Sequence, residues 1–270
     1  MNPKQPARFA APLLALAMAG ALPATAQAQG MSDSWQFEAA IYGWFPAISG
    51  NTSFPDGGGS SIDLSTGDVL DALKFAFFTA FQVRNGEWGL FTDIAYADLG
   101  DSKSGSRDFT IGGRPVAGVT ANLDLDVKSW IWTIAGTYQL KNDDAASMDL
   151  LFGARMLDMT NRLRWSLNGS GDNLARSGEA EVGATNWDAV IGLKGRAYLG
   201  QDRKWFVPYY ADIGAGESKM TWQVNAGVGY QFDWGALIGS WRYLDYEFKS
   251  SSHIESQSFS GPLVGVVFKF

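Results

Sequence analysis

Apolar and polar residues alternate along most of this chain with a period of two, the spacing of a β-strand with one apolar and one polar face. From Asn186 to Leu199, Trp187, Ala189, Ile191, Leu193, Gly195, Ala197 and Leu199 fall on one face. Asp188, Val190, Gly192, Lys194, Arg196 and Tyr198 fall on the other. A helix would set Lys194 and Arg196 on opposed sides and leave no apolar stripe. The same alternation puts Phe75, Phe77, Thr79, Phe81 and Val83 on one face, and in the next segment Trp88, Leu90, Thr92, Ile94 and Tyr96. Trp222, Val224, Ala226, Val228, Tyr230 and Phe232 repeat it against Thr221, Gln223, Asn225 and Gln231. An apolar face on nearly every strand suits lipid, and the opposing polar face suits a wet lumen.

Ten such segments predict strands over 35–46, 74–84, 87–98, 126–140, 148–166, 184–199, 205–216, 221–232, 235–249 and 257–270. Their connections alternate in length. Residues 85–86, 141–147, 200–204 and 233–234 are short, and Asn85–Gly86 is a hairpin signal because both residues accept positive φ. Residues 47–73, 99–125 and 167–183 are long and rich in Gly, Ser and Asp. Short turns on one side and long loops on the other are the pattern of a transmembrane barrel. The expected fold is all-β, a transmembrane antiparallel up-and-down β-barrel of about ten strands, with eight or twelve also compatible with the spacing. In the first long loop, Ser65 or Thr66 can cap a short helix through 68–73. That helix reads either as a surface turn or as an inward plug or lid.

Composition sharpens this picture. The chain carries 11 Trp, 17 Phe, 9 Tyr and 32 Gly, a heavy load for a soluble domain. In a membrane barrel the aromatics form interfacial girdles, and the glycines let the sheet bend. Beyond residue 28 no run of about 18 apolar residues occurs, so no transmembrane helix is expected. The N-terminal segment has Lys4 and Arg8, an apolar stretch from Phe9 to Leu22, and small-x-small sites at 24–26 and 26–28. This is the pattern of a secretory signal peptide, with Ala28 as the last residue removed and 29–270 as the barrel domain. Loss of Lys4 and Arg8 with that leader moves the formal charge from −7 to −9, the wrong sign for nucleic acid. There is no cysteine, hence no disulfide or thiol chemistry.

The C-terminal segment places Val264, Val266, Phe268 and Phe270 on one face, against Gly265, Val267 and Lys269. It resembles the terminal signature of outer-membrane proteins. That resemblance implies that Phe268 and Phe270 act as an assembly signal read by the barrel-assembly machinery.

The chain as a whole also resembles a family of poorly characterised proteobacterial outer-membrane β-barrel proteins. The residues that carry the resemblance are Trp44-Phe45-Pro46, Gly86-Glu87-Trp88-Gly89-Leu90 with Asp93 and Tyr96, Gly153-Ala154-Arg155, Trp187-Asp188 with Gly192, and Trp241-Arg242-Tyr243. The family usually shows Gly-Tyr-Arg-Tyr where this chain has Ser240-Trp241-Arg242-Tyr243, with Gly239 one place earlier. The resemblance implies a fold and a location in the Gram-negative outer membrane, with outer-membrane lipid as the surrounding partner. It implies little about substrate.

By alternation Glu38, Asp93, Arg155, Asp188, Lys194, Arg196, Asp212 and Arg242 point into the lumen. Charges at membrane depth persist only where they are paired or wetted. They read either as a salt-bridged plug or as a selectivity lining. An open porin channel takes roughly sixteen to eighteen strands, whereas eight are nearly filled by side chains, so about ten favours the plug. Catalytic signals are weak. The one histidine, His253, sits among serines with Glu255 nearby, and Asp98, Asp101 and Asp245 could lie at the outer rim. No P-loop, dinucleotide fingerprint or metal-ligand spacing is present, and no cofactor is expected. Three roles follow: a narrow-lumen permeability, transport or structural barrel; a surface-interaction barrel with binding loops; or a membrane-embedded hydrolase.

Overall fold

A computed structural model of the protein describes residues 35–53, 59–111, 114–168, 176–249 and 254–270. The signal-peptide segment and His253 lie outside these residues. The elements are β1 (Gln36–Trp44), β2 (Ala47–Ser53), β3 (Gly59–Leu64), α1 (Thr66–Ala72), β4 (Leu73–Asn85) and β5 (Trp88–Ile111). They continue with β6 (Arg114–Asn142), β7 (Ala146–Asn168), β8 (Arg176–Leu199), β9 (Trp205–Gly216), β10 (Met220–Phe232), β11 (Gly235–Glu247) and β12 (Ile254–Lys269).

Ten strands pair antiparallel in the order β1-β4-β5-β6-β7-β8-β9-β10-β11-β12, and β12 returns to β1 from Glu38↔Lys269 to Trp44↔Leu263. The sheet therefore closes into a ring in which every strand has a neighbour on both sides. The alternation keeps its phase around the wall. Ile41, Ile191, Ile213 and Val264 are more than half exposed, while Val190 next to Ile191 is 4% exposed. Aromatic rings gather in two bands. One, near the short turns, includes Trp88–Tyr138, Trp205–Tyr230 and Trp234–Phe268. The other, farther up the strands, includes Phe75–Tyr96, Tyr96–Trp130 and Trp222–Tyr243. An apolar band between two aromatic girdles is the outer surface of a transmembrane barrel.

The β4–β5 hairpin turns one residue later than Asn85–Gly86. Asn85 pairs with Trp88, so the two loop residues are Gly86 and Glu87. Only Gly86 of the two has positive φ (59°), as in turns with glycine at the first central position.

The expected long loops are largely strand. β5 and β6 stay paired from Trp88↔Tyr138 to Ile111↔Arg114, and β7 and β8 from Ala146↔Ala197 to Leu167↔Arg176. Gly, Ser and Asp there do not prevent pairing. Once the membrane hairpin has set the register, each further residue adds ladder hydrogen bonds without needing an apolar face.

Segment 47–73 also differs from a loop. At Phe45–Pro46 the first stave breaks, since proline has no N–H for the ladder. β2 then resumes pairing with β12 (Ala47↔Ser260), and β3 folds back on β2. Gly261 sits where a Cβ would lie 2.1 Å from the Phe45 carbonyl oxygen, so only glycine fits under this bend. α1 follows with Ser65 as N-cap. The Ser65 hydroxyl accepts from the Asp68 backbone N–H (3.2 Å), and the Ser65 backbone N–H donates to the Asp68 carboxylate (2.9 Å).

Candidate functional site

Inward residues change character along each stave. From the short-turn end of β7 they run Asp149, Leu151, Gly153, Arg155, Leu157, Met159, and on β11 Arg242 is followed by Leu244 and Tyr246. On β5 Phe91 and Asp93 precede Ala95 and Leu99. Stacked around the ring, these sequences give three levels: a polar vestibule near the short turns, a charged layer, and an apolar upper lumen.

The vestibule is a cavity of about 410 Å3 that includes Glu38, Gln82, Arg84, Asp149, Lys194 and Arg196 among its lining. Arg196 donates to Glu38 (2.6 Å). Counting round the ring, β8 and β1 are five strands apart out of ten, so this ion pair spans the lumen. Arg84 donates to Asp149, which also accepts from Gln82 Nε2 (3.2 Å). Lys194 Nζ donates to Gln82 Oε1 and lies 4.1 Å from the centre of the Phe91 ring.

The charged layer holds two arginines. Arg155 is fully buried, and its guanidinium donates to Asp212, to Thr133 Oγ1 (3.1 Å) and to Thr221 Oγ1 (3.4 Å). Tyr210 OH also donates to Asp212. Arg242 is 2% exposed and donates to Asp93 (3.0 Å), the Tyr42 hydroxyl oxygen (3.0 Å) and Gln223 Oε1 (2.8 Å). Tyr42 OH in turn donates to the other oxygen of Asp93 (2.8 Å). Charge-assisted bonds of this kind are the strong ones in a dry interior.

Six of the eight candidate residues thus form three separate ion pairs, and the other two bond elsewhere. Arg155 joins Asp212, Arg242 joins Asp93, and Arg196 joins Glu38. Lys194 bonds an amide. Asp188 accepts from the Ser218 backbone N–H (2.8 Å) in the β9–β10 turn. Sequence reasoning omitted the neutral partners Tyr42, Tyr210, Gln223 and Thr133, and the charged pair Arg84–Asp149. Parity alone could have flagged them: Tyr42 shares a face with Glu38, and Asp149 with Arg155. Attention to charge in the middle of strands passed them by.

The rim carboxylates have ordinary partners. Asp98 lies 3.6 Å from Lys128, and Asp245 accepts from Tyr243 OH (3.3 Å). The side chain of Asp101 lies outside the described residues. Among the described residues no group of three or more His, Asp or Glu side chains could hold a metal ion.

No family model and no curated protein matches the chain. Several solved structures are similar in fold. The outer-membrane protease OmpT from Escherichia coli aligns at 10% identity over 90% of this chain and 99% of its own, with a TM-score of 0.49. Ail, the attachment invasion locus protein of Yersinia pestis, aligns at 10% over 88% and 100% with a TM-score of 0.32. The P. putida toluene transporter TodX aligns at 10% over 88% and 90% with a TM-score of 0.32. All three align with TM-scores below 0.5, and the fold of this chain rests on its own geometry. A closed, even-stranded antiparallel barrel with an apolar outer band and two aromatic girdles makes this molecule an integral β-barrel of the outer-membrane type.

Proposed function

We propose that this protein is a narrow-lumen outer-membrane barrel whose axis is closed to ions and polar solutes by the two-arginine layer. The observation that carries the reading is the burial of both guanidinium groups in mid-lumen, Arg155 at 0% and Arg242 at 2% exposure, each held by three side chains. A hydrated ion moving along the axis would have to separate these charge-assisted bonds, and a buried pair broken on one side costs several kcal/mol. The vestibule below is lined by polar and charged side chains, but it ends against this layer.

Planar-bilayer recording of the refolded chain tests the reading. The wild type gives no stepwise conductance. Arg242→Ala removes one arm of the layer while leaving the Tyr42–Asp93 bond, and admits small-ion steps in protein whose gel mobility still shows the folded barrel. Regular conductance steps from the wild type overturn the closed-axis reading.

A further inference from the structure

Above the charged layer the lumen contains a second cavity of about 430 Å3. Its walls are apolar, with Trp44, Phe78, Ile131, Met159 and Phe259 among them. Its floor meets the charged layer where Tyr42 binds Arg242 and the Arg242 guanidinium lies 4.6 Å from the centre of the Trp44 ring. An apolar cavity of about 150 Å3 already takes up benzene, and ligand pockets run from about 300 to 1,000 Å3. This cavity has room for more than one ring's worth of hydrocarbon. Two lining residues also carry polar atoms, Trp44 Nε1 and Ser129 Oγ, that are buried with no hydrogen-bond partner among the described residues. A buried donor left unsatisfied is costly, so a ligand supplying an acceptor gains from it.

The wall beside this cavity is incomplete. The β1–β4 ladder stops at Ile41↔Thr79. Beyond it, Tyr42–Trp44 pair only with β12, and Phe75–Phe78 pair only with β5. The cavity is lined here by residues of both wall faces: Tyr42 and Trp44 from the inner face, Gly43 and Tyr96 from the outer. It therefore reaches the surface between β1 and β4. What covers it is the end of α1. Val69 is buried, while Leu70 and Leu73 line the cavity and are still 45% and 36% exposed. The flank of this seam is the Phe75–Tyr96–Trp130 stack, part of the aromatic band away from the short turns. The opening thus lies at the membrane boundary on the side away from the short turns, which in outer-membrane barrels is the outer leaflet, and not on the aqueous axis.

We propose that this upper cavity binds one medium-length alkyl chain bearing a hydrogen-bond acceptor, admitted sideways between β1 and β4 beneath α1. A chain dissolved in the outer leaflet reaches the site without crossing water. Its acceptor meets Trp44 Nε1, and its methylene groups replace an apolar void. The site stands whether or not the axis conducts, because its route is lateral.

The test uses the full chain in nanodiscs of perdeuterated lipid, with protein deuterated except for 13C-methyl methionine, and n-decanol as the probe. Met159 lines the cavity, and Met156 on the opposite face of β7 serves as the lipid-side control. Decanol gives saturable intermolecular NOEs to the Met159 methyl. Ala95→Phe or Ile131→Phe, each filling the cavity, abolishes them while contacts to Met156 persist; two variants guard against one failing to fold. Trp44→Phe weakens decanol binding several-fold and leaves decane binding unchanged. A second arm, with protonated lipid chains and no decanol, decides the source: NOEs to Met159 there identify a membrane lipid chain as occupant, and their absence identifies a free alkyl compound. The proposal is overturned if Met159 contacts neither decanol nor lipid chains, or if its contacts survive in the filled variants.

Discussion

A guanidinium shut away from water must direct its donors at protein atoms, and Arg155 and Arg242 do so with different sets of partners. Arg155 faces a carboxylate and two threonine hydroxyls; Arg242 faces a carboxylate, a tyrosine and an amide. The neutral partners matter as much as the charges, since Coulomb attraction alone does not offset desolvation of a buried pair. Among the described residues, Arg155→Ala leaves Asp212, whose side chain is fully buried, with only Tyr210 as donor. It should cost about 3–5 kcal/mol, the scale for removing one partner of a buried ion pair. Denaturant unfolding from lipid reads this as a lower midpoint. The double variant Arg155→Met/Asp212→Leu should recover most of the loss, because apolar pairs of similar volume are tolerated in such places. If Arg155→Ala changes neither the unfolding midpoint nor the conductance, Arg155 contributes neither to a plug nor to a gate.

At the scale of elements, a strand in a barrel wall is defined by its phase. β8 presents Ile191 to lipid at 54% exposure and Val190 to the lumen at 4%. Ile191→Arg should therefore cost about 2–4 kcal/mol, the range for a cation at the bilayer midplane. Val190→Thr, on the side that already holds polar groups, should cost only about 1 kcal/mol for its added hydroxyl. Equal costs, measured by equilibrium unfolding in the same lipid, would show that the wall is turned the other way. The β2–β3–α1 segment follows a different rule. It is not a stave of the closed ring; it is stitched to β12 through β2 and capped at Ser65. Its place over the unpaired stretch of β4 is what gives the upper cavity both a cover and a side opening.

For the whole molecule the decisive event is closure. β1 and β12 meet along seven residue pairs, and beyond them the Phe270 N–H donates to the Phe37 carbonyl (3.0 Å) while the Phe37 N–H donates to that of Phe270 (3.3 Å). The Phe270 ring itself is 75% exposed on the outer face. Deleting Phe270 removes this reciprocal pair at the seam, and it tests the expectation, carried by the resemblance of the last strand to outer-membrane signatures, that Phe270 acts as an assembly signal. We expect less protein in the outer membrane and more periplasmic degradation, measured by fractionation at native expression. Unchanged outer-membrane levels would count against Phe270 as a tag.

The period-two pattern by itself determined that the chain is a barrel wall, which residues face out, and that the strand number is near ten. Such patterning is local: Ile191 and Asp188 declare their faces from sequence neighbours alone. The pattern also turned the eight charged candidates to one side, but it could not pair them. Whether Arg155 meets Asp212, or Lys194 an amide instead of a carboxylate, depends on which staves come opposite one another once the sheet closes. Long polar stretches such as 99–125 lack an apolar face and so resemble loops in sequence, while strand continuation there depends on a partner already in register. The break of the β1–β4 ladder after Ile41, and the apolar cavity behind it, had no local signature beyond Phe45–Pro46. They arise only where β2 follows β12 away from β4, a choice made between distant segments of the chain.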